Sequence, residues 1–145
     1  MKAKAVLAAR ILLGLIFFVF GLNGFLHFLP EPPMSGPPAA LLGAFLATGY
    51  LFPLLKATEV IGGALLLAGR FVPLALTVLA PVVVNIVAFH VFLAPSGLAL
   101  PIVVLALEIF LARSYWSVFA PLVRARQLSD AKEGETRVGS RAAAA

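Results

Sequence analysis

The chain has 145 residues, of which 62% are hydrophobic and 12% are charged, and its formal net charge is +5. In a typical soluble domain about a quarter of the residues are charged, so this chain has too few charges to cover the surface of a globular protein. The absence of cysteine excludes disulfides, thiolate metal sites and a thiol redox relay. The composition therefore excludes a soluble enzyme, a nucleic-acid-binding module and a disordered protein, and it predicts an integral membrane protein.

The first long apolar segment predicts a membrane span over residues 6–29, because a helix needs about 20 predominantly apolar residues to cross a bilayer. Within residues 11–29 only Asn23 and His27 interrupt the apolar run. A cleaved signal peptide is the alternative interpretation of this N-terminus, but the apolar segment is too long and no small-residue cleavage site follows it. We therefore expect a retained first span.

The rest of the chain predicts one loop, one short helix and three further spans. Residues 30–38 are rich in proline and predict a loop, since proline has no amide hydrogen and its ring clashes with the preceding helical turn. The apolar segment 39–48 is too short to cross a bilayer and predicts an interfacial or re-entrant helix. Tight turns are expected at residues 69–70 and 95–97. Spans two, three and four are predicted over residues 51–69, 71–93 and 98–116.

These elements define an all-α fold class. We expect an integral membrane four-helix transmembrane bundle with a short interfacial helix between spans one and two. Residues 1–120 form the four-span transmembrane domain, and residues 121–145 form a cytoplasmic tail that is interfacial up to residue 128 and disordered beyond it. Pro81, in the middle of span three, is expected to kink its helix.

Basic residues predict the orientation of the bundle. Basic residues cluster at the start of the chain, at the turn between spans two and three, and at the end of span four and beyond it, so four spans place these clusters on one side of the membrane. They are Lys2, Lys4 and Arg10, then Arg70, then Arg113, Arg124 and Arg126. The opposite loops, residues 30–48 and 95–97, contain no lysine or arginine. The positive-inside rule therefore predicts that both termini are cytoplasmic. The same distribution accounts for the net charge without a nucleic-acid partner.

Polar side chains inside the spans are the candidate ligand-binding groups. An ionisable group at membrane depth costs ~2.5–3.5 kcal/mol on insertion scales, so it is expected to face the protein interior. Lys56 and Glu59 are three residues apart and share one helix face. Gly62 and Gly63 follow one turn later, where small residues let a neighbouring helix approach closely. The candidate ligand-binding residues are Asn23, Lys56, Glu59, Asn85, His90 and Glu108.

Each candidate also has a purely structural interpretation. Lys56 and Glu59 are alternatively a buried ion pair that offsets its own insertion cost, and Glu108 is alternatively a protonated or hydrogen-bonded packing residue. The asparagines are alternatively interhelical hydrogen-bonding groups. The two histidines have no clear third ligand, so no metal site is predicted, and no motif indicates a catalytic residue. Structural roles are expected for Gly62, Gly63, Arg70 and Pro81.

Four segments carry a family resemblance. They are RILLGL at residues 10–15, FGLNGF at 20–25, EVIGGALLLAGR at 59–70, and LAPVVVNI at 79–86 with His90 shortly after it. Over residues 5–120 the chain resembles the DoxX family of small bacterial membrane proteins, and the segment at 59–70 is the most specific part of the likeness. The resemblance implies a four-helix bundle in the bacterial inner membrane. It also implies a loose link to quinone-related and thiol or oxidative-stress redox systems, usually as an accessory subunit.

The resemblance implies a structural role, and no catalytic role, for four residues of the segment 59–70. The lack of cysteine departs from related thiol-handling membrane proteins and excludes direct disulfide chemistry in this chain. The residues on characteristic family positions are Glu59, Gly62, Gly63 and Arg70.

The predicted function is that of a non-catalytic or accessory component of a redox-related membrane system, which binds a quinone or a lipid within the bundle. Glu59 and Asn85 are expected to supply hydrogen bonds to the polar end of the ligand, while Lys56 tunes the charge on Glu59. One alternative is a membrane scaffold or assembly factor that recruits a soluble redox enzyme through residues 121–145. The other is a small proton-coupled transporter, in which Glu59 and Glu108 handle protons and a homo-oligomer supplies enough spans.

Overall fold

The computed structural model describes residues 2–30 and 33–123, and all regular secondary structure in this part of the chain is helical. The all-α prediction is therefore confirmed for these residues. The chain divides into two compact units, Met1–Ser114 and Tyr115–Ala145. The helices are α1 (Lys2–Leu26), α2 (Pro37–Ala47), α3 (Leu51–Ala68), α4 (Val72–Phe92) and α5 (Ala99–Ser114) in the first unit, with a 3-10 turn at Pro95–Gly97, and α6 (Trp116–Val123) in the second.

Among the described residues, three helices are long and apolar enough to cross a membrane: α1, α3 and α4. They correspond to the first three predicted spans. Helix α5 has 16 residues, which makes it about 24 Å long at the helical rise of ~1.5 Å per residue. It is shorter than the span predicted over residues 98–116, because the helix ends at Ser114. The fourth span therefore stays a prediction.

Helix α2 corresponds to the short helix predicted between spans one and two. It begins two residues earlier than the predicted range 39–48, because Pro37 and Pro38 occupy its first turn. Proline is tolerated there, since the first amides of a helix have no partner within the helix. Helix α6 covers the start of the predicted interfacial segment 117–128, and residues 124–145 of the predicted tail lie outside the described residues.

The C-terminal end of α1 is set by Asn23. The side-chain Oδ1 of Asn23 accepts a hydrogen bond of 2.6 Å from the backbone N–H of Leu29, and His27 adopts a positive φ of 50°. The helix ends at Leu26, three residues before the end of the predicted span, because this local bond turns the chain out of the helix. Asn23 is thus a helix-terminating residue, and His27 lies beyond the helix with an exposed side chain.

A tight turn between α3 and α4 lies where the sequence predicts one. Gly69 has a φ of 67° and donates its backbone N–H to carbonyls of the last turn of α3, while Arg70 donates to the carbonyl of Leu65. This left-handed ending favours glycine. A Cβ at Gly69 would also collide with the guanidinium of Arg10. Arg70 itself is exposed and contributes to the turn through its backbone.

The core of the first unit is apolar and lies between α1, α3, α4 and α5. Helix α1 contacts α3 and α5, and α4 contacts the same two helices. Helix α4 runs unbroken through Pro81, and the kink expected there stays a prediction. The largest fully buried side chains are Leu13, Leu66, Leu76, Leu79, Val83 and Leu111.

Glycines make the contact between α1 and α3 unusually close. A Cβ added at Gly63 would lie 2.5 Å from the backbone nitrogen of Phe18 and 2.8 Å from the carbonyl oxygen of Gly14. On the other side of α3, a Cβ at Gly62 would lie 2.7 Å from Cγ of Leu79 on α4. The adjacent glycines of α3 therefore lie against two different helices, as small residues at helix interfaces in membranes often do.

The exterior of the first unit is as apolar as its core. Large side chains such as Leu54, Ile61, Val84 and Phe92 are more than half exposed, with Phe92 at 80%. Soluble monomers rarely expose contiguous apolar surface on this scale. The exterior and the three long apolar helices together indicate a membrane protein.

Candidate functional site

A cavity of about 420 Å³ lies within the first unit. Its volume falls in the range of about 300–1,000 Å³ that is typical of small-molecule sites. Helices α1 to α5, the segment before α2 and the 3-10 turn all contribute to its lining. The lining residues are Ile16, Phe17, Phe20, Met34, Leu41, Leu42, Phe45, Phe52, Leu55, Lys56, Glu59, Val82, Asn85, Ile86, Phe89, His90, Gly97, Leu100, Pro101 and Val104.

We call the part of the cavity lining from α3 and α4 its polar wall and the part from the other elements its apolar wall. All four lining residues with polar side chains, namely Lys56, Glu59, Asn85 and His90, belong to α3 and α4. The lining residues from α1, α2, α5 and the connecting segments have aliphatic, aromatic or thioether side chains or are glycine. A molecule in the cavity therefore meets hydrogen-bonding groups from α3 and α4 only, and hydrocarbon from every helix that lines the cavity.

The strongest polar feature of the cavity is an ion pair between Lys56 and Glu59. Nζ of Lys56 lies 2.8 Å from Oε2 of Glu59. The Glu59 side chain is only 4% exposed and the Lys56 side chain 19%, so the ammonium is the more accessible of the two groups. Nζ also lies 5.8 Å from the ring centroid of Phe52, within the range of a cation–π contact.

Two glycines on α1 make room for this ion pair. A Cβ at Gly24 would lie 2.5 Å from Cγ and Cδ of Lys56, and a Cβ at Gly21 would lie 3.0 Å from Cβ of Glu59. The stem of Lys56 therefore runs directly along the backbone of α1. Sequence reasoning included both glycines in the resemblance but assigned them no part in the site. Their spacing of three residues, which puts them on one helix face, was the available signal.

Asn85 and His90 each bond to the backbone of their own helix and keep free polar atoms. Nδ2 of Asn85 donates to the carbonyl of Pro81 at 2.9 Å. Nδ1 of His90 lies 2.8 Å from the carbonyl of Ile86. A carbonyl oxygen only accepts, so Nδ1 carries the proton and Nε2 of the neutral ring is an acceptor. The two bonds fix the orientation of both side chains at the cavity.

Two predicted ligand-binding residues lie away from the cavity lining. Asn23 is 6% exposed and terminates α1. Glu108 is 7% exposed and follows Pro101 and Val104 on the buried face of α5, one turn beyond the lining. Among the described residues, Oε2 of Glu108 has no hydrogen-bond partner. The structure thus brings four of the six candidates together, and the ligand-binding role of all six stays a prediction.

The apolar wall formed by α2 was not singled out from the sequence. Leu41, Leu42 and Phe45 of α2, with Met34 before it, line the cavity. A short apolar helix has no polar residue to mark which face meets a ligand, so the sequence carried no signal for this contact. Within the described residues, no group of three or more histidine, aspartate or glutamate side chains could hold a metal ion.

Comparison with protein-family models, curated proteins and solved structures finds no match to this chain. The likeness to the DoxX family therefore stays a prediction. The function has to be inferred from the cavity and its side chains, which can hold an apolar molecule and offer hydrogen bonds to one side of it.

Proposed function

We propose that this chain is a DoxX-like inner-membrane protein that binds a hydrophobic ligand with a polar end, a quinone or a lipid, inside a four-helix transmembrane bundle. In this proposal α1, α3, α4 and α5 are the four spans and α2 lies at the membrane interface. The protein acts as a non-catalytic or accessory component of a redox-related membrane system. The observation that carries the proposal is the ion pair on the wall of an otherwise apolar cavity.

The apolar exterior supports insertion of the first unit in a bilayer. Three helices have the length and composition of spans, and a lipid solvent suits the exposed leucine, isoleucine and phenylalanine side chains. The 3-10 turn before α5 adds length to that short helix. With four spans, the distribution of lysine and arginine favours cytoplasmic termini.

The ion pair supports a binding role better than a stabilising one. The desolvation of two charges in an apolar interior often exceeds their mutual attraction, so a buried ion pair is weak support for stability. Lys56 and Glu59 instead present charged groups to a cavity of ligand size. We assign hydrogen bonding to the ligand's polar end to Glu59 and Asn85, and control of the charge on Glu59 to Lys56.

Direct ligand binding tests the proposal. The full chain is purified in lipid nanodiscs, and binding of decylubiquinone and of a diacyl phosphatidylglycerol is measured. Glu59→Gln and Asn85→Ala should each weaken binding of the preferred ligand about tenfold, the equivalent of one lost hydrogen bond of about 1.4 kcal/mol. Unchanged binding in both variants would contradict the site assignment.

Thr77→Val is the matched control for Asn85→Ala. Thr77 also bonds to a carbonyl four residues earlier in α4, from Oγ1 to Pro73 at 2.9 Å, and is exposed as Asn85 is, but it lies outside the cavity lining. The control variant should bind both ligands as the unaltered protein does. If Thr77→Val also loses binding, the effect of Asn85→Ala comes from a change in helix α4 and not from a lost contact in the cavity.

The two alternative functions receive less support. Recruitment of a soluble redox enzyme relies on residues 121–145, most of which lie outside the described residues. Proton-coupled transport relies on Glu59 and Glu108, and of these only Glu59 lines the cavity. Ligand binding uses the four polar residues that the lining contains.

A further inference from the structure

We infer that the cavity selects ligands whose polar end is uncharged and accepts hydrogen bonds through an oxygen atom, as an ester or ketone carbonyl does. The inference rests on the proposed function and specifies the chemistry of the ligand for the same cavity. It moves the direct hydrogen bond from Glu59, whose carboxylate only accepts, to the Lys56 ammonium that Glu59 holds in place. It follows from the unused hydrogen-bonding capacity, the accessibility and the charge of the side chains on the polar wall.

The polar wall has unused donors. An ammonium group has three N–H bonds, and among the described residues Nζ of Lys56 donates to Oε2 of Glu59 alone. An amide group has two N–H bonds, and Nδ2 of Asn85 donates one of them to Pro81. Lys56 and Asn85 therefore have donors left for an oxygen atom of a ligand.

Within the ion pair, accessibility favours a ligand that accepts over one that donates. The side chain of Lys56 is 19% exposed, whereas that of Glu59 is 4% exposed, so the donor of the ion pair is the group that a ligand can reach. The stem of Lys56 lies against the backbone of α1 at Gly24, which holds the ammonium on the cavity wall. An acceptor atom can therefore bond to Lys56 without separating it from Glu59.

Charge balance excludes ionised polar ends. The charges of Lys56 and Glu59 cancel, and among the lining residues only these two carry a full charge when His90 is neutral. A ligand carboxylate would leave one uncompensated negative charge next to Glu59, and a ligand ammonium would leave one positive charge next to Lys56. An uncompensated ion in apolar surroundings is strongly unfavourable, whereas an ester or ketone leaves the pair intact.

The apolar wall accommodates the remainder of the ligand. Leu41 and Phe45 of α2 line the cavity, and α5 contributes Leu100 and Val104. An alkyl chain or an apolar ring fits this wall because it has no hydrogen bonds to lose. The ligand is therefore a membrane-dissolved amphipath with one neutral acceptor group.

Three probes with the same hexadecyl chain test the inference on the full chain in phosphatidylcholine nanodiscs. They are methyl hexadecanoate, hexadecanoate and hexadecylamine, which differ mainly in the charge of the polar end. Native mass spectrometry measures the bound fraction of each probe. Methyl hexadecanoate should bind at least about tenfold more tightly than either ion, a difference of about 1.4 kcal/mol. Equal or tighter binding of hexadecanoate or hexadecylamine would overturn the inference.

Two variants connect the selectivity to the ion pair. Glu59→Gln leaves the Lys56 ammonium unpaired, so it should bind hexadecanoate, which supplies the missing negative charge, more tightly than methyl hexadecanoate. Lys56→Arg keeps the charge and the donors and should keep the preference for the ester. A preference for the ester that persists unchanged in Glu59→Gln would overturn the inference, because the charge balance of the ion pair would then not cause it.

The outcome for the proposed function is separate. Binding of decylubiquinone or diacyl lipid without any preference among the three hexadecyl probes would leave the proposed function standing and overturn the inference. Failure of the unaltered protein to bind any of these compounds would contradict the proposed function itself.

Discussion

The contact between α1 and α3 and the helix α2 both border the cavity, but they are packed in opposite ways. Between α1 and α3 the backbones are so close that a Cβ at Gly63 would lie 2.5 Å from a backbone nitrogen. Along α2 no described atom lies within 4 Å of a Cβ at Gly43, and none of its described residues is buried. The ion pair is thus held by the closely packed pair of helices, while a loosely packed helix lines the cavity with apolar side chains.

The largest effect is expected when the closely packed region loses one charge. Lys56→Met leaves the buried carboxyl of Glu59 without its partner, and breaking a buried ion pair in this way should destabilise the protein by about 3 kcal/mol. Thermal and denaturant unfolding of the detergent-solubilised protein measures the loss.

Lys56→Met/Glu59→Gln is the control for this prediction. Removing both charges should restore most of the lost stability, because no unpaired charge remains. If the double variant is as unstable as Lys56→Met, the loss of stability comes from the lost packing of the lysine stem against Gly24. The unpaired carboxyl of Glu59 would then not be its cause.

A smaller loss is expected from adding one methyl group between α1 and α3. Gly63→Ala should destabilise the protein by about 2 kcal/mol, since overpacking of a well-packed interface costs ~1–3 kcal/mol and the clash is with backbone atoms. Gly43→Ala adds the same methyl group to α2, where it meets open space, and should cause no loss. Equal losses of stability in the two variants would contradict the difference in packing between the α1–α3 contact and α2.

The smallest effect on stability is expected in α2. Phe45→Ala should change the free energy of unfolding by about 0.5 kcal/mol or less, as for other weakly buried positions, because no described residue of α2 is buried. The same variant should weaken ligand binding, since Phe45 lines the cavity. Leu46→Ala, at an exposed neighbour outside the lining, should leave binding unchanged. A large loss of stability in Phe45→Ala would show that α2 contributes to the fold as a packed helix does.

The sequence predicted the helices well because length and apolar composition decide them. The glycine at residue 69 ends α3, and Pro37 and Pro38 occupy the first turn of α2, for backbone reasons that operate locally. The end of α1 was missed because Asn23 terminates the helix through a side-chain bond to Leu29, which competes with an apolar run that would otherwise continue. The length of α5 was overpredicted, since apolar residues continue beyond Ser114.

The candidate site was predictable in part. The sequence singled out all four polar residues that line the cavity, but the side of a helix that faces the cavity depends on how the helices are rotated against one another. Glu108 therefore lies on the buried face of α5 without reaching the cavity lining. Gly21 and Gly24 were missed for the same reason, since a glycine shapes a site only through the neighbour that occupies its space.

The glycine at position 24 affects where the charge of Lys56 is held. Lysines in membrane helices usually snorkel, extending their stems so that the ammonium reaches headgroup water. Because Gly24 has no side chain, the stem of Lys56 occupies the space beside α1, and the ammonium remains at Glu59. An uncharged residue on one helix thereby keeps a charge on another helix next to its counterion.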